Sequence, residues 1–188
     1  MLDALKNSDI GWTKPNDHTV GAFHGYWKGC TSIVERVNGN IIKRQTGYNK
    51  YNLSENEFNK LRDISSNHFP RVYKLADKEI EIEDCGELLT VDNLPEDWEA
   101  QLNEILSDLK KYSIVHRDIR LENLMVKHGV IKLIDFGWAV FEGEIESVPA
   151  PSCLGFPNKP SYGFSDSYSM RQVKKQLEYA LEEKGVVA

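Results

Sequence analysis

The sequence predicts an α+β protein with two lobes, a small β-rich lobe followed by a mostly helical one. Two observations lead to this fold class. Two β-rich runs are joined by Asn38-Gly39 in the first half, and apolar residues recur at helical spacing in the second half. Strands and helices are therefore segregated along the chain, as in α+β architectures. A length of 188 residues suits one domain or two closely coupled lobes.

The first half contains four predicted strands and one predicted helix. Residues 31–37 and 40–44 flank Asn38-Gly39, and an Asn-Gly pair between β-rich runs is a strong hairpin signal. A helix is predicted over 54–64, with Ser54 as its cap and Glu57 completing a capping box. Two more β-rich runs follow, at 71–76 and 79–84.

The second half contains two predicted helices separated by a short hairpin. The first helix runs from Pro95 through Lys111, and its apolar stripe is Trp98, Leu102, Ile105, Leu106 and Leu109. A hairpin turns at His128-Gly129. A helix beginning at Asp166 has the stripe Met170, Val173, Leu177 and Leu181, and Gly185 ends it. We expect a first lobe over 1–83, a hinge over 84–88 and a second lobe over 89–188.

Composition argues against several classes of protein. The formal charge of −6 does not favour a nucleic-acid partner. No apolar run approaches the ~20 residues of a membrane helix. The first residues show no basic region followed by an apolar run, so we expect no signal peptide. Three widely spaced cysteines indicate reduced thiols in a cytoplasmic protein. We expect the scattered histidines to lie at the surface: His18, His24, His68 and His128.

Three polar residues in the second half are candidates for metal binding and proton transfer. Asp118 lies on a loop after the first helix of this half, Asn123 precedes one hairpin strand, and Asp135 follows the other. The hairpin should bring Asn123 and Asp135 together, and their carboxylate and amide oxygens are hard ligands that suit Mg²⁺. Asp118 nearby could accept a proton from an attacking hydroxyl, as phosphoryl transfer requires.

These residues belong to two motifs that resemble those of protein kinases. His116-Arg117-Asp118 with Asn123 resembles the catalytic-loop motif, and Asp135-Phe136-Gly137 resembles the metal-binding motif that follows it. The resemblance implies an ATP- and Mg²⁺-dependent phosphotransferase. It assigns metal binding to Asn123 and Asp135, acceptor activation to Asp118, and support of the transferring phosphoryl group to Arg120.

The same resemblance implies a lysine that holds the α- and β-phosphates and a glutamate that pairs with it. Lys43 ends the apolar run 41–43, with Arg44 as its rival, and Glu57 is the preferred partner over Glu55. It also implies that Asp166 fixes the backbone around the catalytic loop.

The resemblance also implies further nucleotide contacts, although the sequence matches the kinase glycine-rich loop less well than the two motifs above. The glycine-rich loop is reduced to Gly29, and the chain is much shorter than a full protein kinase. The implied contacts with the phosphates and the adenine are Gly29, Ser32, Val34, Ile41, Ile82, Glu83 and Cys85.

The acceptor is left open by the sequence. A protein serine or threonine is the favoured substrate, a sugar or other small molecule is an alternative, and a nucleotide-binding pseudokinase that serves as a partner-binding module is a third possibility. Arg120 occurs at a position where serine/threonine kinases usually carry lysine, so it does not decide the acceptor.

Overall fold

The computed structural model describes residues 26–28, 32–46, 51–144, 150–161 and 163–185, and for 26–28 it describes the backbone alone. The predicted α+β class is confirmed, with a β-rich sheet region and three α-helices in this part of the chain. The division into lobes at 83–84 and 88–89 stays a prediction. Gly29, His18 and His24 lie outside the described residues.

The first half of the described chain forms a five-stranded antiparallel sheet in the order β1-β2-β3-β5-β4. The strands are β1 (Tyr26–Lys28), β2 (Ser32–Val37), β3 (Asn40–Gln45), β4 (Val72–Ala76) and β5 (Glu79–Glu83). The predicted Asn38-Gly39 hairpin is confirmed between β2 and β3. Asn38 has φ 52° and Gly39 has φ 82°, the left-handed pair that a tight hairpin turn of this kind requires.

One face of this sheet gathers several of the predicted nucleotide contacts. Val34, Lys43 and Ile80 lie opposite one another across β2, β3 and β5, and Ile41 and Ile82 form an adjacent row. Side chains alternate between the two faces of a strand, so residues two apart share a face. These rows therefore lie on the same side of the sheet.

Three α-helices are present in the described residues: α1 (Leu53–Leu61), α2 (Trp98–Lys111) and α3 (Asp166–Glu183). The predicted apolar stripes of α2 and α3 are buried at Trp98, Leu102, Ile105 and Leu109, and at Met170, Val173 and Leu177. None of the helices in the described ranges combines the length and apolarity needed to cross a membrane.

The predicted capping box of α1 is wrong. Asn52 caps the helix, and its side-chain oxygen accepts a hydrogen bond from the Glu55 N–H at 3.1 Å. The Ser54 hydroxyl instead donates to the carbonyl of Lys78 at 2.7 Å. Glu57 is turned away from the helix start because tertiary contacts, described below, use both of its carboxylate oxygens.

Five short strands support the remainder of the fold: β6 (Glu87–Leu88), β7 (Ile114–Val115), β8 (Leu124–Lys127), β9 (Val130–Leu133) and β10 (Val140–Phe141). The predicted hairpin around His128-Gly129 is confirmed as β8 and β9, and β6 adds to its β8 edge. β7 pairs with β10. The main apolar core lies between this hairpin, α2 and α3, and includes Leu102, Ile105, Leu124, Ile131 and Val173.

The expectation of an exposed His68 is wrong, since the residue is only 7% exposed. Its Nδ1 lies 2.8 Å from the carbonyl of Ile131, and its Nε2 lies 2.9 Å from a carboxylate oxygen of Glu104. Both ring nitrogens have partners, which allows a polar ring to be buried.

Candidate functional site

Lys43 of β3 contacts two carboxylates on the sheet face described above. It is 9% exposed, and its ammonium group lies 2.8 Å from Glu57 of α1 and 2.5 Å from Asp135. The rival residues do not take part, because Arg44 and Glu55 are exposed. Lys43 therefore joins the sheet, α1 and the segment after β9.

Lys43 and Asp135 stabilise each other's ionised forms. Burial alone would lower the pKa of Lys43, but Asp135 and Glu57 outweigh burial and hold that pKa above its usual range. Burial alone would raise the pKa of Asp135, but the Lys43 ammonium outweighs it, so the pKa of this carboxyl lies below its usual range. The side chain of Asp135 is still 39% exposed. A charged carboxylate is thus accessible from solvent beside a charged lysine.

The β8–β9 hairpin brings Asn123 next to this segment. Asn123 precedes β8, Asp135 follows β9, and Leu124 pairs with Leu133 across the hairpin. The backbone N–H of Ile134 donates to the carbonyl of Asn123 at 2.9 Å. The amide and carboxylate predicted as metal ligands therefore emerge from adjacent positions at one end of the hairpin.

Asp118 lies beside Asn123 and is 7% exposed. The Asn123 amide nitrogen donates to the backbone carbonyl of Asp118 at 2.8 Å and to its Oδ2 at 2.9 Å. The N–H of Gly155 donates to Asp118 Oδ1 at 2.8 Å. Arg120 Nε lies 3.6 Å from Asp118 Oδ2, and this buried nitrogen makes no hydrogen bond within the described residues.

Asp166 binds the backbone of the loop that contains Asp118, as predicted. One carboxylate oxygen of Asp166 accepts from the N–H of His116 at 2.6 Å, and the other accepts from the N–H of Arg117 at 3.0 Å. Burial raises the pKa of Asp166, although His116 and these two hydrogen bonds oppose the increase. Arg117 has φ 71°, a left-handed backbone conformation, and the hydrogen bonds to Asp166 hold it in place.

Ile82, Glu83 and Cys85 lie at the end of β5, next to the same sheet face. Ile82 is 6% and Cys85 is 4% exposed. Burial raises the pKa of the Cys85 thiol to about 12, so the thiol stays protonated, and it lies 3.6 Å from the carbonyl of Glu83. The Glu83 N–H donates to the carbonyl of Arg71 at 2.8 Å. Backbone groups of Glu83 and Cys85 are the groups predicted to pair with adenine.

The remaining predicted contacts are distributed along β2 and β3. Ser32 is buried, and Val34 and Ile41 are half-buried. Strand alternation puts Ser32, Val34 and Lys43 on one side of the sheet.

Two residues near the site were missed by the sequence analysis. Arg36 of β2 pairs with Asp84 at 2.9 Å and donates to the carbonyl of Gly86 at 3.3 Å. Arg36 is two residues after Val34 in the same strand, and this spacing indicates that both side chains lie on the same face of the sheet. Gly155 contacts Asp118 across 37 positions of chain, and no local pattern indicates that contact.

The donor set fits a magnesium ion better than a transition metal. Among the described residues, no group of three or more His, Cys, Asp or Glu side chains converges as a metal site. Asn123 and Asp135 offer two hard oxygen donors, and Mg²⁺ usually takes only one or two protein ligands and completes its shell with water and phosphate oxygens.

Comparison with known proteins gives partial matches. The chain is 35% identical over 102 residues to the dual specificity protein kinase zak2 of Dictyostelium discoideum, covering 50% of this chain and 16% of that protein. It is 42% identical over 50 residues to the Aurora kinase of Saccharomyces cerevisiae, covering 26% of this chain and 14% of the kinase. These matches indicate a kinase-like relationship. No family model matches the chain.

A third relative has a different description. The chain is 28% identical over 155 residues to a probable bifunctional tRNA threonylcarbamoyladenosine biosynthesis protein of Methanoculleus marisnigri. This match covers 74% of the chain and 29% of the relative. The chain thus spans less than a third of the length of each of these three relatives.

Proposed function

We propose that this protein is an ATP- and Mg²⁺-dependent kinase that transfers a phosphoryl group to a hydroxyl acceptor, with a protein serine or threonine as the favoured acceptor. The observation that carries the proposal is a pair of contacts in one region. Lys43 contacts both Glu57 and Asp135, and Asp118 contacts Asn123 at the end of the same hairpin that leads to Asp135. The partial kinase matches support the same reaction class.

Lys43 would bind the α- and β-phosphates of ATP. Its raised pKa keeps the ammonium group charged at neutral pH. An ammonium group has three N–H donors, and fully buried Glu57 fixes one of them. Asp135 accepts from a second donor, and the third can meet a phosphate oxygen, so Glu57 acts by orienting the lysine.

Asn123 and Asp135 would hold Mg²⁺ through an amide oxygen and a carboxylate oxygen. A magnesium ion bound there would neutralise negative charge on the phosphate oxygens. The lowered pKa of Asp135 keeps this ligand ionised at neutral pH. Because one oxygen of Asp135 now accepts from Lys43, ligand binding would redistribute the lysine's hydrogen bonds toward phosphate.

Asp118 would orient the acceptor hydroxyl and take its proton. The acceptor oxygen forms a bond to the γ-phosphorus, the bond from that phosphorus to the bridging oxygen breaks to leave ADP, and the acceptor proton passes to Asp118. Arg120 lies close to the Asp118 carboxylate. Its guanidinium group would offset negative charge on the moving phosphoryl group.

The adenine would lie between the sheet face and the predicted hinge of a two-lobed fold. The apolar contacts would come from Val34, Ile41 and Ile82. Backbone groups of Glu83 and Cys85 would pair with the base edge, and Ser32 would approach the phosphates. Gly29 is a further proposed phosphate contact.

One observation favours a second candidate, a nucleotide-binding protein that transfers nothing. Both carboxylate oxygens of Asp118 already accept hydrogen bonds, one from Gly155 and one from Asn123. A hydroxyl acceptor would have to displace or share these contacts. The second candidate therefore predicts nucleotide binding without any Asp118-dependent reaction.

The experiment that tests the proposal separates binding from transfer. Purified protein is incubated with Mg²⁺ and γ-labelled ATP, with dephosphorylated casein in one arm and a panel of sugars in another. We expect label on casein, and an Asp118→Asn variant should transfer about 100- to 10,000-fold more slowly, the usual contribution of general-base catalysis. Binding of Mg-ADP, measured by calorimetry, should be nearly unchanged in that variant because Asp118 contacts the acceptor.

The outcomes of this experiment are distinct. Label on sugars but not on casein would replace the protein acceptor with a small molecule. Nucleotide binding with no transfer above the Asp118→Asn level would favour the second candidate. Absence of any Mg-nucleotide binding would contradict both.

A further inference from the structure

Asn56 of α1 binds the backbone of the segment that directly follows Asp135. Its amide nitrogen donates to the carbonyl of Gly137 at 2.9 Å and to the carbonyl of Ala139 at 2.8 Å, and lies 3.4 Å from the carbonyl of Phe136. We refer to residues 136–139 as the post-Asp135 segment. Asn56 thus ties this segment to α1 across about eighty positions of the chain.

The residue type matches this role. All three neighbours of the amide nitrogen are carbonyl oxygens, which only accept hydrogen bonds, so the orientation of the amide is dictated by its partners. An amide NH₂ group offers two N–H donors, and the two shorter contacts use both. Serine could supply one donor, and aspartate could supply none. The local sequence offers no other reason for an asparagine here, since Asn52 already caps the helix.

The next residue of α1, Glu57, binds the same segment as a hydrogen-bond acceptor. Glu57 accepts a hydrogen bond from the N–H of Phe136 at 3.1 Å with one oxygen and contacts Lys43 with the other. Asn56 donates to carbonyl groups while Glu57 accepts from an N–H group. The segment is therefore bonded to α1 through both its carbonyl and its N–H groups.

Close packing adds a steric constraint to these bonds. A side-chain Cβ at Gly137 would lie 3.4 Å from the Cβ of Leu53, so the first turn of α1 sits directly on the segment. Lys60, one helical turn after Asn56, contacts Glu144 at 3.1 Å and the ring of Phe141. One face of α1 thus follows the chain from Phe136 to Glu144.

Asp135 has an uncommon backbone conformation that its surroundings must hold. It has φ 67° and ψ 62°, a left-handed conformation that residues with a side chain rarely adopt, although aspartate and asparagine adopt it more often than the others. Such a conformation persists only where the surroundings fix it. The residue directly after Asp135 is held by Glu57, and the next residues are held by Asn56. The direction of the Asp135 carboxylate therefore depends on these contacts.

We infer that Asn56 is a positioning residue, whose amide fixes the post-Asp135 segment and thereby aims the Asp135 carboxylate at the cation that accompanies the nucleotide. This inference rests on the proposed function for the identity of the ligand, and on the contacts above for the positioning itself. The mechanism described earlier needs Asp135 in one place, and Asn56 supplies the constraint without touching nucleotide or acceptor.

The test compares Asn56→Ala and Asn56→Ser with a matched control, Asn59→Ala. Asn59 is the same residue type on the same helix but is exposed. Amide hydrogen exchange of the ligand-free proteins is measured by mass spectrometry over 136–139. Exchange should be about tenfold faster in Asn56→Ala, the change expected when one or two net hydrogen bonds are lost. Asn56→Ser should fall between that variant and wild type, and Asn59→Ala should match wild type.

A second measurement links the segment to the ligand. The Mg²⁺ concentration that half-saturates ADP binding should increase about tenfold in Asn56→Ala and stay unchanged in Asn59→Ala. ADP binding without Mg²⁺ should be equal in all variants, because Asn56 does not contact the nucleotide. A merely structural role would lower stability without changing the Mg²⁺ dependence.

Failure of this inference and failure of the proposed function give different results. Unchanged exchange over 136–139 in a folded Asn56→Ala protein would overturn the inference, as would faster exchange with an unchanged Mg²⁺ dependence. If Asn56→Ala does not fold, Asn56→Ser is judged by the same two criteria. Absence of Mg-nucleotide binding by the wild-type protein would instead overturn the proposed function, whatever the exchange data.

Discussion

Replacing Glu57 should destabilise the protein, because its carboxylate is fully buried and has two partners. The side chain is 0% exposed, with the Lys43 ammonium group at 2.8 Å and the Phe136 N–H at 3.1 Å. Glu57→Ala leaves the Phe136 N–H without its acceptor, which costs about 1–3 kcal/mol. It also removes one of two counter-charges from Lys43, which is a buried cation.

The cost of losing one counter-charge of Lys43 is limited by what is known of buried ion pairs. Breaking a buried ion pair outright costs about 3–5 kcal/mol, and Lys43 retains Asp135, so the full amount is not lost. We therefore expect Glu57→Ala to lower the free energy of unfolding by about 3 kcal/mol in total. Glu57→Gln keeps the shape and one acceptor oxygen but loses the charge, and should cost about 1.5–3 kcal/mol, the range for a hydrogen bond to a charged group.

The assay is urea unfolding at neutral pH, followed by far-ultraviolet circular dichroism. The matched control is Glu55→Ala on the same helix, where the side chain is exposed and the expected loss is within about 0.5 kcal/mol. Equal losses for Glu57→Ala and Glu55→Ala would refute the reasoning, because they would mean that Glu57 is not a buried partner of Lys43. This measurement requires no nucleotide and is independent of the proposed function.

Two further predictions concern Asp135 and Gly86. The pKa of Asp135 lies below its usual range, so its charge stabilises the fold above about pH 4, and this stability is lost as the pH falls through the folded-state pKa. Wild type should therefore exceed Asp135→Asn in unfolding free energy at pH 7, with a difference that shrinks in acid; a difference that grows in acid would contradict the assignment. Gly86→Ala should cost more than about 1 kcal/mol, because Gly86 has φ 90° and an added Cβ would lie 2.2 Å from the carbonyl of Val126. Gly143→Ala is the control, since no atom lies within 4 Å of its Cβ position, and equal unfolding midpoints for the two variants would show that the Gly86 backbone can adjust.

Local patterns predicted the elements whose signals are local. The Asn38-Gly39 turn, the α2 and α3 stripes and the β8–β9 hairpin follow from neighbouring residues, and each is present. The two-residue strands β6, β7 and β10 were missed because a pair of residues has no measurable period. They form only where a partner strand is supplied from elsewhere in the chain.

The errors at α1 and His68 have one physical cause, which is competition from distant partners. Ser54 and Glu57 satisfy the pattern of a capping box, but Lys78 and Lys43 offer them tertiary partners, and Asn52 takes over the cap. His68 follows the polar run Ser65-Ser66-Asn67, and its burial has no local pattern in the sequence. Carbonyl and carboxylate groups more than thirty positions away make that burial possible.

The same distinction separates the two halves of the candidate site. Asp118 and Asn123 are five positions apart and contact each other, and the hairpin of two four-residue strands puts the Asp135 backbone near that of Asn123, so these placements follow from sequence spacing. Lys43 is 92 positions from Asp135 and reaches it only because the sheet and α1 both dock beside the hairpin. The α1 helix touches Lys43 through one side chain and the post-Asp135 segment through two. Small shifts of α1 should therefore change the proposed phosphate and cation contacts together, while leaving the Asp118–Asn123 contact unchanged.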